Sequence, residues 1–243
     1  MMSVGTTSSF VKLLRRNTFL SKVLDRSGVV LAVKAVGVVA ILVSLAWSMP
    51  PPAVPWLPLL YLYGAIPFAL VGVLVARRKR IESLGSGNVS VSNAFRSGGY
   101  LAGCIAVVGE VSKALLPILI SWLWFDYRVD VAAALLFCAI LGEYVSPYLQ
   151  GSGGFAGTIM IWSFAILAPL SMLLGVAAML GTFALSRDRL LMVLAAFWSL
   201  PLILLLIDGR LPLVLLALGY AILFSLRISP ERNDFSYVSR ATE

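Results

Sequence analysis

The run FAGTIMIWSFAILAPLSMLLGVAAMLGTFAL, residues 155–185, is apolar across 31 residues, whereas about 20 suffice for a helix to cross a ~30 Å hydrocarbon core. Pro169 stands at its middle, where it has no N–H for the helical ladder and clashes with the preceding turn. The stretch therefore reads as two short helices with a tight turn between them, and that choice fixes the remaining topology. Working outward, the apolar runs 29–49, 56–76, 101–125, 131–149, 190–207 and 211–226 each read as one pass. The expectation is an all-α, polytopic membrane protein with about eight transmembrane helices. MPPPAVP, residues 49–55, separates the first two passes because prolines cannot continue a helix. Residues 1–55 read as a basic segment plus a first helix acting as a signal anchor, 56–228 as a seven-helix core, and 229–243 as a tail.

Composition excludes the main alternatives. Of 243 residues, 60% are hydrophobic and 12% charged, against roughly 45–50% and 25% in soluble domains. Cys104 and Cys138 both sit in apolar runs and make no secreted disulfide framework. There is no histidine, which removes serine–histidine hydrolysis, histidine-ligated zinc and the histidine–aspartate dyad of acyl transfer. No metal-ligand spacing or dinucleotide signature occurs, so neither metal nor organic cofactor is expected.

Net charge is +8, which in such a chain speaks first of topology and anionic lipid, and not of nucleic acid. Eight passes collect fifteen lysines and arginines on one side, including Arg77, Arg78, Lys79, Arg80, Arg96, Arg187, Arg189, Arg227, Arg232 and Arg240. Only Arg128 and Arg210 fall on the other. Positive loops stay cytoplasmic, so the N terminus, the long loop and the C terminus are expected there, in a plasma membrane.

That loop, RRKRIESLGSGNVSVSNAFRSGGY at 77–100, combines Gly85, Gly87, Gly98 and Gly99 with Ser86, Asn88, Ser90, Ser92, Asn93 and Arg96. Glycines bring backbone N–H groups close to an anion, and a guanidinium grips phosphate with two bonds. The same composition also suits a flexible connector whose RRKR run anchors at anionic lipid. Inside the next pass, Glu110 and Lys113 are spaced i, i+3 and can pair near the bilayer midplane. That pair serves a site or fixes helix packing. Glu143 lies near the end of the following pass, facing interfacial water or the same site.

These residues resemble the PlsY family, bacterial polytopic glycerol-3-phosphate acyltransferases that use acyl phosphate. Gly64, Ala65, Ile66, Pro67 and Phe68 follow a GSIPF-like signature. Gly85, Ser86, Gly87, Asn88, Ser92, Asn93 and Arg96 follow GSGNxGATNxxR, and Glu110 and Lys113, followed by Leu116 and Pro117, follow DxxKG and its LP. Order and spacing agree over about sixty residues. The resemblance implies a seven-pass core and acyl transfer from acyl phosphate to the 1-hydroxyl of glycerol 3-phosphate, giving lysophosphatidic acid. It also implies Ser86, Arg96 and Lys113 as catalytic residues, with Gly85, Gly87, Asn88, Ser92, Asn93, Glu110 and Glu143 binding substrate. The chain departs from the family pattern where GGKGxAT reads GlnGlySerGlyGlyPheAlaGlyThr, 150–158, without lysine. It departs again where a glycine–histidine pair reads Gly142, Glu143, and where a C-terminal histidine is absent. Arg187, Arg189 and Arg232 are candidate replacements for the lysine. Two other readings remain open: a non-catalytic homologue that binds lipid phosphate or scaffolds lipid synthesis, and a transporter using Glu110 and Lys113.

Overall fold

The structure, a computed structural model, describes residues 28–150 and 153–227. The basic segment 1–27, Arg232 and Arg240 lie outside the described residues. Among the described residues, ten α-helices follow in order: α1 (Gly28–Trp47), α2 (Trp56–Gly64), α3 (Phe68–Arg77), α4 (Val91–Gly98), α5 (Tyr100–Trp124), α6 (Val129–Tyr144), α7 (Gly157–Leu167), α8 (Pro169–Ser186), α9 (Arg189–Ile207) and α10 (Leu211–Arg227). No strand occurs among the described residues, as expected where hydrocarbon can satisfy no exposed ladder. Five segments are long and apolar enough to cross a membrane: 51–77, 100–124, 129–149, 169–186 and 190–207. Three shorter apolar helices, Leu31–Trp47, Gly157–Leu167 and Leu211–Arg227, accompany them.

These eight apolar segments follow the runs read from the sequence, with two differences in detail. The pass at 56–76 is broken at Ala65–Pro67 into α2 and α3, because Pro67 lacks an N–H. Hydroxyls hold the break: Ser146 donates to the Ala65 carbonyl at 2.6 Å, and Tyr61 to that of Val145 at 2.7 Å. The 155–185 run breaks at Ala168, directly before Pro169. At ~1.5 Å per residue, α7 spans only ~16 Å, about half a bilayer, so it is not a full crossing by itself.

The core is built around α6, whose Val131–Ile140 are all buried; a helix apolar all round has to sit inside others. Helices α1, α2, α5 and α10 pack on it. Small residues let the backbones approach. A Cβ on Gly142 would lie 2.0 Å from the Tyr61 carbonyl oxygen, and one on Gly64 would lie 2.1 Å from that of Ala139. Helix α1 buries Val38, Ile41 and Leu45 and turns Val33, Val36, Val39 and Val43 outward, a lipid-facing surface. On the side away from the 77–100 loop, Asp208 accepts hydrogen bonds from Ser171 and, at 2.6 Å, from Arg210, which also donates to the Leu167 carbonyl. This ties the α7–α8 break to the α9–α10 turn.

Gly142→Ala is expected to lower stability by about 1–3 kcal/mol through overpacking against backbone, whereas Gly181→Ala, with nothing within 4 Å of the added carbon, lowers it not at all. Thermal unfolding of the two purified variants in detergent checks this; equal melting temperatures would refute the close α2–α6 packing.

Candidate functional site

The 77–100 segment is half loop and half helix. Ser90 caps α4, its hydroxyl accepting the Asn93 N–H at 3.2 Å. The buried Asn93 then braces the preceding turn. Its amide donates to the Leu84 carbonyl at 3.1 Å and the Asn88 carbonyl at 2.9 Å. Its Oδ1 accepts from the Ser86 N–H at 3.3 Å and the Ser97 hydroxyl at 2.9 Å. Both donors and both lone pairs are occupied within the turn, so Asn93 fixes the shape of the loop on which Ser86 and Asn88 stand. Gly85 makes this possible: its φ of +56° suits glycine, and a Cβ there would sit 2.2 Å from the Asn93 Oδ1.

Within the membrane, the Lys113 ammonium donates to Glu110 at 2.9 Å and to Glu143. Lys113 is fully buried, and Glu110 and Glu143 are 6% and 5% exposed. Glu143 therefore does not face interfacial water. The loop after α6 closes over it: the Gly154 N–H donates to the Glu143 carbonyl at 3.0 Å, and a Cβ on Gly154 would collide with the Glu143 carboxylate. Arg227, at the end of α10, holds that loop by donating to the Tyr144 and Gly154 carbonyls at 2.7 and 3.0 Å while lying 4.9 Å from the Tyr144 ring centroid. It is close enough to Glu143 to interact electrostatically. Arg227 went unnoticed as a site residue in the sequence, where it is only the last cation of an apolar run. Arg187 is exposed, on the α8–α9 turn.

Beside this cluster opens a cavity of about 460 Å³. Its polar end is formed by Ser90, Ser92, Glu110, Glu143, Thr158 and the buried Tyr220, whose hydroxyl donates to the Phe155 carbonyl at 2.9 Å. The rest is apolar wall from α8, α9 and α10, with Met172, Val176, Met192, Phe197 and Leu200. Among the described residues, no lysine or arginine lines it. Lys113 stands behind its two carboxyls. A second recess, lined by Ser92, Phe95, Arg96, Gly99 and Tyr100, adjoins through the shared Ser92. Arg77 lies near Gly99, its Nη2 3.9 Å from where a Gly99 Cβ would stand, without lining the recess.

The expected catalytic set is thus distributed over three places. Ser86, with Gly85, Gly87 and Asn88, forms the turn before α4 and lines neither space. Arg96 lines the outer recess and Lys113 is buried. The residues at the cavity's polar end missed by sequence reasoning are Thr158 and Tyr220.

The family model described as glycerol-3-phosphate acyltransferase matches residues 54–233. The chain belongs to this family. A glycerol-3-phosphate acyltransferase of Syntrophotalea carbinolica is 31% identical over 51% of the chain and 60% of that protein's length, so this match spans under two thirds of the relative. Glycerol-3-phosphate acyltransferase 2 of Bacillus anthracis is 29% identical over 71% of the chain and 88% of its own length. The fold is also that of the crystal structure of PlsY, an integral membrane glycerol 3-phosphate acyltransferase, in its glycerol 3-phosphate form. The TM-score is 0.63 at 22% identity, covering 79% of this chain and 94% of that one. Within the family frame, the glycines of 153–154 are explained by their passage over Glu143, and the family match starts after α1.

Lys113→Met strands two buried carboxyls and is expected to cost about 3–5 kcal/mol. The triple change Glu110→Gln, Lys113→Met, Glu143→Gln recovers most of that stability without function. Denaturant titration in detergent reads both; a lysine variant as stable as the parent would show that the ammonium does not hold α5 to α6.

Proposed function

We propose that this chain is a membrane glycerol-3-phosphate acyltransferase of phospholipid synthesis, taking its acyl group from acyl phosphate and forming lysophosphatidic acid. The observation that carries the reading is Ser92, which borders both the long apolar cavity and the arginine-bearing recess. A fatty chain partitions into the first. Phosphate groups stay with Arg96 in the second, because the cavity's polar end offers carboxyls and hydroxyls but no cation. The reacting carbonyl then sits at the Ser92 boundary.

Acyl phosphate is a mixed anhydride, so alignment accounts for much of the rate and no side-chain nucleophile is required. The acceptor's 1-hydroxyl oxygen attacks the acyl carbon and the new ester bond forms. The bond from that carbon to the phosphate oxygen breaks, with the electron pair leaving on phosphate. The hydroxyl proton passes to the departing phosphate or to solvent. Ser90, Ser92 and Thr158 are the hydroxyl donors at the carbonyl. A chain without histidine can run this reaction. The loop, both termini and the Arg96 recess face the cytoplasm, where the soluble phosphate acceptor is found, and the host bilayer is the plasma membrane; the fifteen-to-two distribution of cations supports this orientation. Domain organisation follows: a first helix, a seven-helix acyltransferase core and a tail.

Purified protein given labelled glycerol 3-phosphate and hexadecanoyl phosphate is expected to yield lysophosphatidic acid. Arg96→Ala should lower kcat/KM for glycerol 3-phosphate by about 10²–10³-fold, the typical cost of removing one charge-stabilising donor. Product formation indifferent to Arg96, or no product at all, would overturn the reading.

A further inference from the structure

Two wall positions of the apolar cavity carry no side chain, Gly157 and Gly175; a Cβ on Gly157 would stand 3.6 Å from the Tyr220 hydroxyl, at the polar end. Gly175 lies on the buried face of α8 and lines the cavity. A Cβ placed on it would meet a single neighbour within 4 Å, Leu200 Cδ1 at 3.5 Å, and Leu200 lines the cavity from α9. A side chain extended beyond that carbon would therefore enter the empty space.

The position along the cavity matters. Helices α7 and α8 leave the break at Ala168 packed together. Counting ~1.5 Å per residue, Thr158 lies ~15 Å along α7 and Met179 ~16 Å along α8, which sets both at the polar end. Gly175 is only ~10 Å from the break on the same count, and Met172 is nearer still. On α9, Met192 sits close to the 187–188 turn and Leu200 some 12 Å further from it. Gly175 and Leu200 thus face each other part-way along the apolar cavity, with Met172 beyond them, away from Glu110, Glu143 and Ser92.

We propose that Gly175 and Leu200 determine the length of acyl chain this protein accepts. The inference rests on the acyl-transfer reading for the identity of the ligand. A chain whose carbonyl is held at Ser92 runs down the cavity and must pass between these two residues to reach the space beside Met172; filling the gap shortens the accepted chain, and trimming Leu200 lengthens it.

The test compares hexadecanoyl and decanoyl phosphate as donors for the full-length protein in detergent. In Gly175→Leu the ratio of kcat/KM for the longer over the shorter donor is expected to fall at least about tenfold, the least that one misplaced methylene costs in an apolar pocket. In Leu200→Ala the ratio rises. Ratios unchanged in both variants overturn the inference while leaving acyl transfer intact, and if Gly175→Leu does not fold, Leu200→Ala decides alone. Binding of hexadecyl- and decylphosphonate, which cannot transfer an acyl group, is measured in parallel. Selective weakening of the longer phosphonate in Gly175→Leu without any turnover in the parent would sustain the length determinant and refute the enzymatic reading. Equal binding of each phosphonate by parent and variants would refute the length determinant.

Discussion

One ammonium held between two carboxyls in the bilayer interior organises this protein. Bringing charges into hydrocarbon is costly unless each finds a partner, and Lys113 answers Glu110 on its own helix and Glu143 on the next. The pairing fixes the height at which α6 ends against α5, so the chain must turn inside the membrane instead of at its surface. Everything after Tyr144 follows from that depth. The glycines at 153–154 pass over Glu143, Arg227 ties the carbonyls of Tyr144 and Gly154, and α7 has room for only eleven residues. A half-length helix beside full-length neighbours leaves space, and the cavity occupies it.

A second constraint positions the outer recess. Asn93 spends all its hydrogen-bonding capacity on the turn at 84–88 and on Ser97, so the turn and α4 move as one piece. With α4 held against α3 and α5, Arg96 is presented to the outer recess and Ser92 is left at the boundary between that recess and the apolar cavity. The motif therefore divides its labour: Asn93 and Gly85 build, while Ser92 and Arg96 border the spaces a ligand would fill.

Much of this was legible from residues alone. Apolar run lengths and Pro169 located every hydrophobic segment, since segment length is set by bilayer thickness and proline acts locally. The i, i+3 spacing placed Glu110 and Lys113 on one face. What escaped depends on contacts between distant segments. Glu143 resembles an interfacial carboxyl until α6 is known to stop level with Lys113. Arg227 looks like a flanking cation until α10 is laid against the 153–156 loop. The α4 helix was hidden by its glycine- and serine-rich composition, although Ser90 three residues before Asn93 carries a helix-start signal.

In the proposed reaction, the separation of charge from apolar volume accounts for a working site without the lysine that the resemblance leads one to expect at 150–158. If phosphate were to enter the inner cavity, two carboxyls would repel it, and the missing cation would have to be replaced there. In the proposed reaction both phosphates stay outside with Arg96, and the inner carboxyls face only the neutral acyl carbonyl and the acceptor hydroxyl, which they do not repel. Substituting Glu143 for a histidine then changes the packing of Lys113 more than the chemistry at the boundary. A loop of glycine and serine suffices at 150–154 because its task is to cover a buried carboxyl closely, and a lysine side chain on that path would bring a second ammonium to a cluster whose cation is already in place.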